Sequence, residues 1–284
     1  MKNRLRFIFL SFMTGVALLA ASCSTQTAPA KKSAATTKTG DSINGQTIRV
    51  MAYNIHHCNP PSKPEYIDIE AIANTIRTQN PDLVALQEVD VHTNRSGAYN
   101  QAEEIAKQLN MYYYFGKAID YGGGEYGVAI LSRYPLSEKQ VHRLPTQAET
   151  KGEPRIVATV KVTLPGGKEI RFGSTHLDAQ KTPVNRELQI NEIENIASGE
   201  KLPFVIAGDF NASPEFEVIR QLDTHFTRTC QTCAPTIPVN NPNKAIDFIA
   251  FRPAGKFRVK SHQVINEKYA SDHLPVVADM EVQP

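Results

Sequence analysis

The sequence predicts a mixed α/β (or α+β) domain, and three observations carry that prediction. Short apolar runs without polar alternation recur along the chain, as strands do when both their faces are buried. Stretches of helical period separate the first of these runs. Later, hairpin signals outnumber the spacers long enough for a parallel crossover. With 284 residues, 41% of them apolar and 21% charged, the chain can bury a sizeable core. No internal repeat or second linker interrupts it, so one folded domain is expected over residues 46–284.

The elements read in order. Thr47 to Ile55 is β-branched and apolar, a first strand. Ile67 to Gln79 is helical, with Ile69, Ile72, Ala73 and Ile76 on one face and Pro81 ending it. Asp82 to Val89 is a strand, and Gln101 to Leu109 a second helix. Tyr126 to Leu131, Arg155 to Leu164 and Glu169 to His176 are strands, with Gly166-Gly167 as the hairpin turn between the last two. Thr182-Pro183 opens a helix, Phe204 to Ala207 is a short strand, and Ser213-Pro214 opens a further helix. Ile246 to Phe251, Arg258 to Val264 and Val276 to Val282 close the set as strands.

The first residues carry an address. Lys2, Arg4 and Arg6 precede a short apolar stretch from Phe7 to Ala21, too short for a comfortable membrane span. Leu19-Ala20-Ala21-Ser22-Cys23 resembles the bacterial lipobox, with Ala20 where that pattern prefers Leu. The expectation is a lipoprotein signal peptide over residues 1–22, a lipidated Cys23, and a flexible tether over residues 23–45 rich in Ala, Thr, Ser and Lys. The alternative is an ordinary secretory signal. Either way the protein is expected outside the cytoplasm, in the first case anchored to a bacterial membrane at the periplasmic or outer face. Cys230 and Cys233 then read as a small disulfide, because no second C-x-x-C completes a zinc site, and Cys58 is left over.

Formal net charge is +2. Six cations (Lys2, Arg4, Arg6, Lys31, Lys32, Lys38) against Asp41 alone precede the domain, which is left at about −3. Non-specific grip on nucleic acid draws most of its strength from phosphate neutralisation by a basic surface. The balance therefore argues against a partner gripped mainly through its phosphate backbone, so nucleic acid is possible but not favoured. No protein partner is predicted.

Polar residues cluster at the ends of the apolar strands. Asn54, Gln87-Glu88, His176, Asp209 and Asn211 follow such runs, Asp247 lies within one, and Asp272-His273 precedes one. Strands packed side by side bring equivalent ends together. A hard divalent cation such as Mg2+ needs oxygen ligands, for which Glu88 and Asp272 are candidates. Hydrolysis of a phosphoester needs an oriented water, a base and donors to the phosphoryl oxygens. Asp209 and Asn211 offer a base and an amide, His176 and His273 offer donors, and Asp247 could hold the charge and tautomer of His273. There is no G-x-S-x-G, no H-E-x-x-H and no P-loop.

These residues carry a resemblance. Met51-Ala52-Tyr53-Asn54-Ile55, Leu86-Gln87-Glu88-Val89, Tyr126 to Ser132, Ser174-Thr175-His176-Leu177-Asp178, Gly208-Asp209-Phe210-Asn211, Ile246-Asp247-Phe248-Ile249 and Ser271-Asp272-His273-Leu274-Pro275 follow one another in the order of the endonuclease/exonuclease/phosphatase family. The chain resembles that family over essentially the whole domain. The resemblance implies a four-layer sandwich, two mixed β-sheets packed face to face with helices outside. It implies Mg2+ or Mn2+ held mainly by Glu88, helped by Asn54 and Asp272. By the same resemblance Asp209 polarises the attacking water, Asn211 and His176 contact the scissile phosphate, and Asp247 orients His273, with either Asp209 or His273 as the proton acceptor.

Several positions depart from it or extend it. Several nucleases of the family carry an acidic metal-binding residue where this chain has His56. Arg155 is a candidate phosphate or network residue, and Tyr126 a candidate pocket wall. Asp178 is a candidate support for the site or a turn cap, and His57 a candidate rim contact. Arg95, in a loop beyond Glu88, reads as a solvated loop charge ahead of a contact to a substrate phosphate. Gly122-Gly123-Gly124 suggests a mobile loop and the stretch from Ala234 to Asn243 an ordered rim. Three functions follow in order: an exported phosphoesterase acting on a lipid-derived or small organic phosphate, an extracellular nuclease, and a binding lipoprotein that has lost catalysis. Completeness of the polar set argues against the last.

Overall fold

The computed structural model describes residues 45–284; the expected leader, Cys23 and the tether up to residue 44 lie outside them. Two six-stranded mixed sheets form the centre. The first contains β1 (Gln46–Asn54), β2 (Leu83–Val91), β3 (Tyr112–Tyr121), β4 (Gly124–Ser132), β11 (Phe257–Val264) and β12 (Val276–Val282), in the order β11-β12-β1-β2-β4-β3. The second contains β5 (Leu136–Arg143), β6 (Ile156–Thr163), β7 (Glu169–His176), β8 (Phe204–Asp209), β9 (Thr227–Arg228) and β10 (Asp247–Arg252), in the order β5-β6-β7-β8-β10-β9. Only β1–β2 and β7–β8 are parallel pairs among these ladders. Each is bridged by a helix, as a parallel pair requires.

The burial pattern explains why the central runs do not alternate. Ile48, Val50, Ala52, Leu83 and Ala85 meet Phe172, Val205 and Ile249 between the sheets. The intervening Met51, Tyr53, Val84 and Leu86 pack under α1 (Ile69–Gln79) and α2 (Gln101–Leu109). On the far side Ile206, Phe210 and Phe248 pack under α3 (Val184–Gly199) and α4 (Glu217–His225). The result is the expected helix–sheet–sheet–helix sandwich. Asp68 caps α1 by accepting from the Ala71 N–H at 3.0 Å, Asn100 caps α2 from Glu103 N–H at 3.2 Å, and Asn80 and Asn110 end both helices in left-handed backbone.

Some expected details differ. Edge strands β3, β5 and β9 were not expected: β3 is half solvated despite its aromatic start, β5 is largely exposed and polar, and β9 is two residues long. The helix expected to open at Ser213-Pro214 begins at Glu217, after a turn in which Phe216 N–H donates to Ser213 O at 2.9 Å. Gly122 and Gly123, expected in a mobile loop, form the β3–β4 hairpin turn with φ of 52° and 82°, and Asn94 N–H donates to Gly122 O at 2.7 Å. Cys230 and Cys233 are disulfide-bonded, and Cys58 is a buried free thiol.

Candidate active site

Strand register, more than sequence proximity, assembles the site. In the second sheet His176 pairs with Asp209 and Asp209 with Asp247, so β7, β8 and β10 end in one row of acid and imidazole. A Cβ on Gly208 would lie 2.0 Å from Thr175 O, so the glycine before Asp209 is what lets β7 and β8 close here. In the first sheet Asn54 pairs with Gln87. The β2–β4 ladder then shifts register between Leu86 and Val89, and Glu88 takes φ of 56°. A bulge of this kind re-aims a side chain. Gln87 Nε2 donates to Ser174 Oγ at 3.2 Å, and Ser174 Oγ to Leu86 O at 3.2 Å, stitching the sheets together beside the site.

Asn54 spans the two rows. Its Nδ2 donates to Glu88 Oε1 and to Asp209 Oδ2, each at 3.1 Å. Its Oδ1 accepts from the His56 N–H at 3.1 Å, which fixes the orientation of the amide. Its amino group thus faces the carboxylates.

Asp209 is buried and crowded. Oδ1 accepts from Asn211 N–H at 2.8 Å, while His176 Nε2 and His273 Nε2 stand 3.5 and 3.8 Å from Oδ2. Burial and the nearby charge of Asp247 push its carboxyl up to about 7, against the pull of His273, Asn211 and Asn54. His273 Nδ1 lies 2.9 Å from Asp247 Oδ2, which also accepts from Thr236 Oγ1 at 2.5 Å. Burial disfavours the imidazolium, but Asp247 outweighs it and raises His273 to about 10, so this ring is charged at neutral pH. His176 is the opposite case. Burial and the Arg155 guanidinium hold it well below the usual imidazole range. Because a guanidinium only donates, the 3.2 Å contact of Arg155 Nη1 with His176 Nδ1 leaves the ring proton on Nε2, facing Asp209.

The remaining candidates fall into place around this centre. Arg155 also pairs with Glu153 at 2.8 Å, and Tyr126 lies with Arg155 and His176 around one small cavity. Asp178 is buried and accepts from Gln180 N–H at 3.3 Å and Asn185 Nδ2 at 3.4 Å, the work of a turn anchor. Asn211 has φ of 48° and donates through Nδ2 to Leu177 O at 2.9 Å. Asp272 flanks His273, with its carboxylate 3.4 Å from Ser271 Oγ. Arg95, expected to be a solvated charge, pairs with buried Asp90 at 2.7 Å and lies 4.4 Å from the Tyr121 ring centroid. Two residues were not foreseen. Thr236 holds Asp247, and Ser271 Oγ donates to Asn54 O at 2.7 Å while accepting from His273 N–H at 3.2 Å. Ser271 lay inside a quoted segment and was overlooked, whereas no local pattern marks Thr236.

Among the described residues, two groups of side chains bring potential ligand atoms within 4.8 Å of one another, His56–His57–Glu88 and Asp209–Asp247–His273. In the second, His273 Nδ1 and Asp247 Oδ2 meet each other, while Asp247 Oδ1 is buried without a partner. In the first, His57 Nδ1 is sealed from solvent without a hydrogen-bond partner, 3.8 Å from Glu88 Oε2. Burial opposes the charge of Glu88, but His57, His176 and Asn54 outweigh it and hold the carboxyl well below its usual range. An ionised, partly exposed carboxylate beside an unsatisfied ring nitrogen fits a divalent cation.

The chain is similar to known proteins in sequence and in fold. The family model for the Endonuclease/Exonuclease/phosphatase family matches residues 51–273. The chain is 26% identical over 251 residues to the uncharacterized protein YbhP of Escherichia coli (strain K12), covering 83% of this chain and 97% of YbhP. A solved endonuclease/exonuclease/phosphatase from Beutenbergia cavernae DSM 12333 superposes with TM-score 0.73 at 24% identity, over 84% of this chain and 72% of that one. The mannosyl-6-phosphatase Bt3783 of Bacteroides thetaiotaomicron VPI-5482 gives TM-score 0.68 at 20% identity, over 82% and 99% of the two chains. At these identities the solved structures speak for the fold. The chain belongs to the endonuclease/exonuclease/phosphatase family, whose members hydrolyse phosphoester bonds and use divalent metals.

Proposed function

We propose that this protein is an exported phosphoesterase, tethered to a membrane through lipidated Cys23, that hydrolyses a lipid-derived or small organic phosphate mono- or diester with Mg2+ or Mn2+. The observation that carries the reading is the setting of Asp209: buried, raised to about 7, and ringed by Asn54, Asn211, His176 and His273. A base poised near neutrality suits proton abstraction from water.

Each residue then has a task. Glu88, which accepts from Asn54 Nδ2, would hold the cation with help from Asn54 and Asp272, and the cation would supply positive charge for the phosphoryl oxygens and the leaving group. Asp209 orients the attacking water and accepts its proton. Neutral His176 donates through Nε2, and the Asn211 amide lies on the same side, so both can meet phosphate oxygens. Asp247 keeps His273 charged and turned toward Asp209, where the imidazolium offsets negative charge building on the phosphate. Arg155 fixes the His176 tautomer from behind. The net-acidic domain argues against a substrate gripped mainly through a phosphate backbone.

The test is hydrolysis of bis-p-nitrophenyl phosphate and a panel of phosphate monoesters by the purified protein, with Mg2+, with Mn2+ and with chelator. Turnover that needs the cation is expected. If diesters, monoesters and nucleic acids all stay intact with either cation, the enzyme reading fails and the binding lipoprotein takes its place.

A further inference from the structure

Three consecutive residues after β1, His56, His57 and Cys58, hold left-handed backbone with φ of 45°, 43° and 60°. None is Gly; His adopts such backbone more readily than most residues but Cys does not, and three in a row persist only where surrounding contacts over-determine them. Here they do. Gln101 Nε2 donates to His57 O at 2.6 Å, Asp68 N–H to Cys58 O at 2.7 Å and Asn59 N–H to His56 O at 2.8 Å, while the Cys58 side chain is fully buried.

What the strained turn delivers is two imidazoles beside Glu88. His56 Nδ1 lies 2.9 Å from Asn59 O. A carbonyl only accepts, so Nδ1 carries the proton and Nε2 the lone pair, the arrangement that a backbone carbonyl imposes on metal-binding histidines. His57 Nδ1 is buried, without a hydrogen-bond partner, and 3.8 Å from Glu88 Oε2. That is too long for a hydrogen bond. It lies within the ~3.0–4.2 Å that separates two donors each about 2.1 Å from a shared ion. One lone pair of the Asn54 oxygen is meanwhile taken by the His56 N–H, so the same turn that presents the imidazoles weakens an oxygen donor.

We infer that Glu88, His57 and His56 form a mixed nitrogen–oxygen site for a first-row transition metal, taken in preference to Mg2+. This rests on the metal-dependent reading above and names the class of ion. Mg2+ takes oxygen donors and keeps its waters, whereas imidazole nitrogen suits transition metals.

The test uses Mn2+ alone on the full chain, with electron spin-echo envelope modulation to detect 14N on the bound ion and titrations of Mn2+ and Mg2+. Nitrogen coupling is expected in the unmodified protein. His57→Asn, chosen because Asn tolerates the backbone, should weaken it and raise the Mn2+ Kd by on the order of 10- to 100-fold. His56→Asn should also weaken it, with Mg2+ affinity changing little in either variant. Glu88→Gln should weaken both ions. Mn2+ that binds and is lost in Glu88→Gln, but shows no nitrogen coupling and ignores both histidine variants, overturns the inference and leaves the metal-dependent reading intact. Neither ion binding the unmodified protein overturns both. The nitrogen signal comes from the unmodified chain, so a variant that fails to fold cannot shield the proposal.

Discussion

The two halves of the centre are built to opposite rules. The half around Asp209 is buried and largely bonded. His176, Asp209 and Asp247 stand at strand ends in register with one another, and His273 meets Asp247 Oδ2, while Asp247 Oδ1 is left without a partner. The half around Glu88 is partly exposed, sits on a bulge and a left-handed turn, and contains a ring nitrogen with no partner. A sheet edge places groups that must be ready before substrate arrives. Strained loop backbone suits groups whose order comes from what they bind. The difference separates residues that move protons from residues that hold an ion.

Perturbing one half and reading the other tests that separation. The largest effect is expected from Asp209→Asn, which should cut kcat/KM by about 10²- to 10⁴-fold in steady-state assays. Its melting temperature should not fall, because the substitution removes a charge disfavoured by burial and by Asp247. A large loss of stability would show that Asp209 is structural.

Next comes Asp90, which holds the loop behind the cation half. It is fully buried and accepts from Arg95, Thr93 and Ser96. Asp90→Ala leaves the buried Thr93 and Ser96 hydroxyls without their acceptor, while exposed Arg95 can turn to solvent, and should cost about 1–3 kcal/mol. Calorimetry should show a melting temperature lower by on the order of 5 °C. Metal affinity should suffer with it, through the Gln101 contact to His57, while the Asp209 side keeps its hydrogen bonds.

A smaller and pH-dependent effect belongs to Asp247. The folded value of His273, about 10, lies above the ~6.5 of an unfolded chain. Its contribution to stability is therefore full below about 6.5 and lost as pH rises through about 10. Melting temperatures measured across that window should fall for the unmodified protein and fall less for Asp247→Asn. Equal slopes would show that the pair does not carry the proton. The smallest effect is expected from replacing Cys230 and Cys233 with Ser. That bond closes a very short loop, worth about 2 kcal/mol, and turnover should not change.

The sequence made the Asp209 half far more legible than the Glu88 half, for a physical reason. β7, β8 and β10 are buried runs whose ends are marked by a change from apolar to polar residues, so His176, Asp209 and Asp247 announce themselves. Glu88 could be found in the same way, but nothing in Leu86-Gln87-Glu88-Val89 signals a bulge or a positive φ, since Glu has no preference for either. Edge strand β5 escaped because it is largely exposed and polar, and β3 because its aromatic start, Tyr112 to Phe115, gives way to half-solvated residues. Arg95 is exposed as expected, but its pairing with Asp90 and Tyr121 is a tertiary event. Thr236 reaches Asp247 only through the folded rim from which Val239 N–H donates to Asp272 O at 2.9 Å. Such contacts depend on loop closure and leave no period to read.

The most direct test of the central claim measures turnover and Mn2+ affinity together in Asp209→Asn and Glu88→Gln. The account predicts that Asp209→Asn keeps its Mn2+ and loses turnover, while Glu88→Gln loses both. Turnover surviving in Asp209→Asn, or Mn2+ affinity collapsing equally in the two variants, would contradict the division of labour.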